Sequence, residues 1–102
     1  MKDTNKYGFI SGGYIFDLLD RTALQAINEK YPETASQQVY TTGGHTTYLK
    51  QLCDIERTKV ITTECYEYFG EYRVHVELWQ GETLIAHGYF TFVQAEHNYC
   101  EQ

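Results

Sequence analysis

The segment GYIFDLLDRTALQAINEK, residues 13–30, decides how the rest of the chain is read. Its apolar residues Ile15, Leu18, Leu19, Ala23, Ala26 and Ile27 recur at spacings of three and four, so a helix gathers them into one stripe. Tyr14 and Phe16 widen that stripe, which predicts a helix buried on more than one side and placed centrally in the fold. Ser11 and the pair Gly12-Gly13 can start this helix, and Pro32 stops it, because a proline ring cannot continue the backbone ladder. This is the one convincing helix in the sequence.

Downstream the period changes from 3.6 to two. Residues 38–52 are rich in Thr, Tyr and Val, residues 58–68 are β-branched and aromatic, and Tyr72, Val74, Val76 and Leu78 alternate with Arg73, His75, Glu77 and Trp79. A last strand over residues 83–93 puts Leu84, Ala86, Gly88, Phe90 and Phe92 on one face, where Gly88 leaves room for close approach of the helix. Phe69-Gly70-Glu71 and Gln80-Gly81-Glu82 supply the turns of two hairpins in series. Residues 94–102 read as a polar tail. One helix followed by four antiparallel strands predicts an α+β domain with the helix on one sheet face. The unpaired edges of so small a sheet favour self-association.

Composition narrows the function classes. The 102 residues suit one domain, with its core over about residues 5–93. Apolar residues make up 42% and aromatic residues 16%, enough to build a core without disulfides or metal. A formal charge of −6 argues against nucleic acid as a partner. Cys53, Cys65 and Cys100 are an odd set without metal-ligand spacing, which points to a reducing compartment, the cytoplasm, and to no zinc site. No apolar run approaches a membrane span, and no basic leader precedes one.

Chemistry concentrates before and inside the helix, over residues 5–20, NKYGFISGGYIFDLLD. Free N–H groups at a helix N-terminus, aided by the helix dipole, can hold the oxygen that becomes negative during acyl transfer, and glycine lets a substrate come near. A carboxylate on a mostly apolar helix can act as nucleophile or as the base that activates water, which makes Asp20 the candidate and Asp17 its solvated neighbour. Taken singly, a Gly-Gly pair is a turn and a helical Asp is a surface group. Their joint spacing with Asn5 is what carries information.

That stretch resembles the PaaI-like branch of the hotdog-fold acyl-CoA thioesterases, whose members carry an Asn, then His-Gly-Gly entering the helix, then an Asp within it. Asn5 lies seven residues before Gly12 and Asp20 eight after it, in agreement with that spacing. TTYLK, residues 46–50, is similar to the family's strand in which a Tyr leads out to a basic residue, and anchoring on Tyr48 sets Thr41 where the family has a Ser or Thr facing the site. GYFTFV, residues 88–93, resembles the family's last strand. Ser11 replaces the family's His, and the family's usual extra N-terminal strand has only four residues to form from here, so four to five strands are expected around the helix.

The resemblance implies hydrolysis of an acyl-CoA thioester to free acid and CoA, with no cofactor, by a homodimer or a dimer of dimers (homotetramer) whose site straddles two subunits. Gly12 N–H of one subunit, flanked by Ser11 and Gly13 and assisted by Asn5, would polarise the carbonyl, while Asp20 and Thr41 come from the other. Lys50, Arg57 and Lys59 are the cations available for CoA phosphates. Two competing functions are a dehydratase or hydratase, for which no His with a spaced acidic partner is visible, and a catalytically silent acyl-CoA-binding domain. A different hotdog enzyme type uses Thr, Glu and His, for which Thr42, His45 and Glu64 are available. His75 and His87 read as structural or surface residues, and Cys53 and Cys65 as small hydrophobes.

Overall fold

The computed structural model describes residues 8–36 and 38–95. Helix α1 spans Gly12–Lys30, and a short 3₁₀ turn follows at Pro32–Ser36. Four strands come next: β1 (Val39–Tyr48), β2 (Thr58–Tyr68), β3 (Glu71–Gln80) and β4 (Thr83–Gln94). They form one antiparallel sheet in the order β1-β4-β3-β2, so β1 and β2 are its edges. The α+β expectation of one helix and a four-stranded sheet is met. Strand β1 ends earlier than the Thr/Tyr/Val composition suggests. After Tyr48 the N–H groups of Leu49 and Lys50 both turn to the Ile85 carbonyl, and the chain leaves the sheet.

The core is the seam between α1 and the sheet. Ile15, Leu19, Ala23 and Ile27 of the helix are buried against Tyr72, Val74, Val76 and Leu78 of β3 and Ala86, Phe90 and Phe92 of β4. Leu52, beyond β1, is also buried, and its carbonyl accepts from Ile10 N–H at 2.6 Å, tying the chain before the helix to the loop after β1. Asp17, Arg21, Gln25 and Glu29 form an exposed line along α1. The helix of a single chain is therefore laid on one face of the sheet with water on its other side, and burial on several sides is not met within one chain.

Three β-bulges keep the apolar faces aligned. The turn at Gly81-Glu82 pairs Gln80 with Thr83, and a regular ladder from there would set Val76 opposite His87. Ile85 is inserted as an extra residue, after which Val76 faces Gly88 and Leu78 faces Ala86. Thr63 plays the same part in β2 and Thr42 in β1. Gly88 lies on the core face as expected, but the space it leaves is filled by the Phe90 ring, which a Cβ there would meet at 2.6 Å. The glycine that admits the helix is Gly44, whose Cβ would stand 2.8 Å from Phe16 Cζ.

Candidate active site

Ser11 caps the helix. It takes extended φ/ψ of −66° and 147°, its Oγ accepts from Tyr14 N–H at 3.2 Å and its carbonyl accepts from Ile15 N–H at 3.2 Å. The N–H groups of Gly12 and Gly13 have no partner among the described residues, and both glycines are exposed. Two donors at the positive end of the helix dipole thus face outward. A Cβ on Gly13 would meet nothing within 4 Å, whereas one on Gly12 would stand 3.3 Å from Tyr48 Cζ. Gly13 leaves open space in front of the helix, and Gly12 leaves room for a tyrosine.

Two turns further along, Thr41 Oγ1 donates to Asp20 Oδ1 at 2.9 Å. Asp20 is half-buried, while Asp17 is exposed and pairs with Arg21 at 2.9 Å. The Asp20–Thr41 contact depends on the bulge in β1. Gly44, Thr46 and Tyr48 face the helix, so strict alternation would turn Thr42 toward it and Thr41 away. The extra residue at Thr42 moves that place to Thr41, and the Thr42 hydroxyl instead meets Thr91 Oγ1 at 3.0 Å. Gly12, Phe16 and Asp20, each four residues apart on α1, consequently stand over Tyr48, Gly44 and Thr41 of β1. The structure brings Asp20 and Thr41 together and places Gly12 on the same helix line.

It does not bring Gly12 to Asp20. Eight residues of helix separate them by about 12 Å along the axis, too far for both to touch one carbonyl group. Lys50, Arg57 and Lys59 are exposed. Lys50 leaves β1 two residues after Tyr48, at the Gly12 end of the helix, while Lys59 sits on β2, three strand spacings or about 14 Å from β1. Asn5 and Cys100 lie outside the described residues. Thr42, His45 and Glu64 do not converge, because β1 and β2 are opposite edges of the sheet. Burial pushes the Cys65 thiol up, with Lys30 opposing, so it is no ready nucleophile. Among the described residues no group of three His, Cys, Asp or Glu side chains is placed to hold a metal ion, and no helix is long and apolar enough to cross a membrane.

Two features were not anticipated from the sequence. Tyr48 Oη donates to the Gly12 carbonyl at 2.7 Å. On the sheet face away from the helix, His75 Nε2 and His87 Nδ1 are 3.1 Å apart, with Thr63 on the other His75 nitrogen and Tyr89 tilted against the His75 ring at 4.2 Å. The shared face of His75, His87 and Tyr89 could be read from alternation, but their contact depends on the bulges at Thr63 and Ile85. A shallow hollow of about 220 Å³ lies on this face among Glu64, Tyr66, Arg73, Tyr89 and Thr91, separate from the Asp20–Thr41 pair.

No protein-family model and no curated protein matches the sequence. Solved structures do match the fold. The hexameric thioesterase y2039 of Yersinia pestis superposes with a TM-score of 0.73 at 24% identity, over 94% of this chain and 80% of that one. A predicted thioesterase from Bacillus stearothermophilus gives a TM-score of 0.78 at 13% identity, over 96% of this chain and 75% of that one. A Bacillus halodurans protein solved with CoA gives 0.75 at 18% identity, over 90% of this chain and 60% of that one. The chain has the hotdog fold these proteins share.

Proposed function

We propose that this chain is an acyl-CoA thioesterase that works as a homodimer or a dimer of dimers. The observation that carries the reading is the Thr41–Asp20 hydrogen bond at 2.9 Å, which fixes one carboxylate oxygen beside the sheet and leaves the other for the substrate or a water. The thioesterases and the CoA complex among the structures of like fold support the substrate class. In this reading the thioester carbonyl oxygen accepts from Gly12 N–H, aided by Asn5, while Ser11 and Gly13 border the acyl group and Lys50, Arg57 and Lys59 meet CoA phosphates. Asp20 either attacks the carbonyl carbon, giving an acyl-aspartyl anhydride that water then opens, or takes a proton from an attacking water. On either route the C–S bond breaks, CoA leaves as thiolate and is protonated, and the acid is released.

The distance between Gly12 and Asp20 gives the assembly a chemical purpose. One chain cannot present both groups to one carbonyl, so the donor of one subunit must serve the carboxylate of another. The test is thiol release from a panel of acyl-CoAs by wild type and by Asp20→Asn. Loss of at least about 100-fold in the variant, with the dimer intact, is the expected result. Equal turnover by the two would exclude Asp20. Acyl-CoA binding with no thiol released at any chain length would leave a silent binding domain in place of the enzyme.

A further inference from the structure

We infer that Tyr48 is a positioning residue for the oxyanion donors at the helix N-terminus, an inference that rests on the thioesterase reading of the site. The Gly-Gly pair is the most conformationally permissive sequence available to a helix start, and the Ser11 cap bonds the N–H groups of Tyr14 and Ile15 but not those of the two glycines. Oxyanion stabilisation needs the opposite, donors held in place before the charge develops. A contact from outside the helix adds a hold on these two peptides that the cap does not supply.

Tyr48 meets that need in two ways. Its hydroxyl donates to the Gly12 carbonyl at 2.7 Å, which belongs to the same peptide plane as Gly13 N–H and adjoins the plane that carries Gly12 N–H. A carbonyl that accepts a hydrogen bond also polarises its own peptide, which makes Gly13 N–H the better donor, while Gly12 N–H gains from the contact through the hold on the adjoining plane. The ring meanwhile lies against Gly12 so closely that a Cβ would be 3.3 Å from Cζ and 3.5 Å from the hydroxyl oxygen. A side chain at position 12 would therefore push the ring aside by a few tenths of an ångström. The Tyr48 phenol is protonated and able to donate at neutral pH, and its partial desolvation against the helix raises its pKa further. The strand gives the contact further meaning, since β1 carries Thr41 against Asp20 at one end and Tyr48 against Gly12 at the other. One strand thus orients both the carboxylate and the donors.

The test is Tyr48→Phe, which keeps the ring and removes only the hydroxyl, measured beside wild type in the full chain. Two readouts are taken: steady-state thioester hydrolysis, and backbone order parameters of Gly12 and Gly13 by NMR. The expected result is kcat lowered about two- to tenfold, the scale of one hydrogen bond, with KM changed less than twofold and lower order parameters at Gly12 and Gly13. Gly12→Ala, which crowds the ring while leaving Tyr48 in place, gives a second approach. Its loss of kcat and that of Tyr48→Phe are expected to be less than additive in the double variant. Unchanged order parameters in Tyr48→Phe overturn the inference, as does unchanged kcat, as does an equal fall in kcat/KM that comes wholly from KM. Lower order parameters in a protein whose wild type hydrolyses no thioester refute the thioesterase reading and, with it, any catalytic role for the clamp.

Discussion

At the scale of single residues, neighbouring side chains of one type do different work because a bulge separates them. Thr41 and Thr42 are adjacent and both exposed, yet Thr41 holds Asp20 and Thr42 meets Thr91 on the far side of β1. Thr41→Val, which keeps the shape and removes the donor, should lower kcat by about tenfold, the scale of a hydrogen bond to a charged group. Thr42→Val should leave thioester turnover within about twofold, because its lost partner is a neutral hydroxyl remote from Asp20. Thiol-release kinetics on both variants check the pair, and an equal effect would show that the bulge does not orient the site. Gly13→Ala tests the open space before the helix. The methyl group meets nothing within 4 Å and replaces a poor helix former, so the stability to unfolding should hold or rise by up to about 1 kcal/mol while turnover falls. Stability and activity measured on the same sample separate those two outcomes.

At the scale of elements, α1 and β1 act as a unit, and its ends are set by local chemistry. Ser11 is the N-cap, so Ser11→Ala should cost about 1 kcal/mol in denaturant unfolding through the orphaned Tyr14 N–H. Between the ends, Gly44 lets Phe16 descend onto the sheet, and Phe16 and Phe90 meet edge to face at 5.2 Å. A Cβ on Gly44 would stand 2.8 Å from Phe16 Cζ and 2.9 Å from Phe90 Cδ1. Gly44→Ala is expected to destabilise by about 1–3 kcal/mol, the usual cost of overpacking a filled site, and to weaken turnover because Phe16 lies between Gly12 and Asp20. Thermal unfolding with a parallel assay checks both. The helix was legible in the sequence because its period of 3.6 survives any tertiary context. The strand bulges were not, since each is a response to keeping two apolar faces in step, although the odd fit of the Gly81-Glu82 turn to the alternation of β3 and β4 was a signal available to be found.

At the scale of the whole molecule, much apolar and edge surface is uncovered among the described residues. The helix keeps an exposed line through Asp17, Arg21, Gln25 and Glu29, β1 and β2 are the edges of the sheet among the described residues, and Tyr40, Tyr48, Leu49, Tyr66, Tyr68, Phe69 and Tyr89 are exposed. A chain of this size with so much apolar surface uncovered is expected to self-associate. Light scattering at micromolar concentration should give twice or four times the mass of one chain. A stable, active monomer would remove the two-subunit site, since about 12 Å of helix separates its halves.

The sequence by itself determined the helix, the four strands and the buried faces of β3 and β4, and its resemblance set Thr41 where it would face the site. These follow from period, turn residues and motif spacing, which are local. Only the tertiary structure decided that a bulge at Thr42 brings Thr41 onto Asp20, that Gly44 rather than Gly88 admits the helix, and that Tyr48 reaches the Gly12 carbonyl. Each of those is a contact between elements whose residues are far apart in the chain, or a register set by fitting one apolar face to another, and no local pattern fixes either.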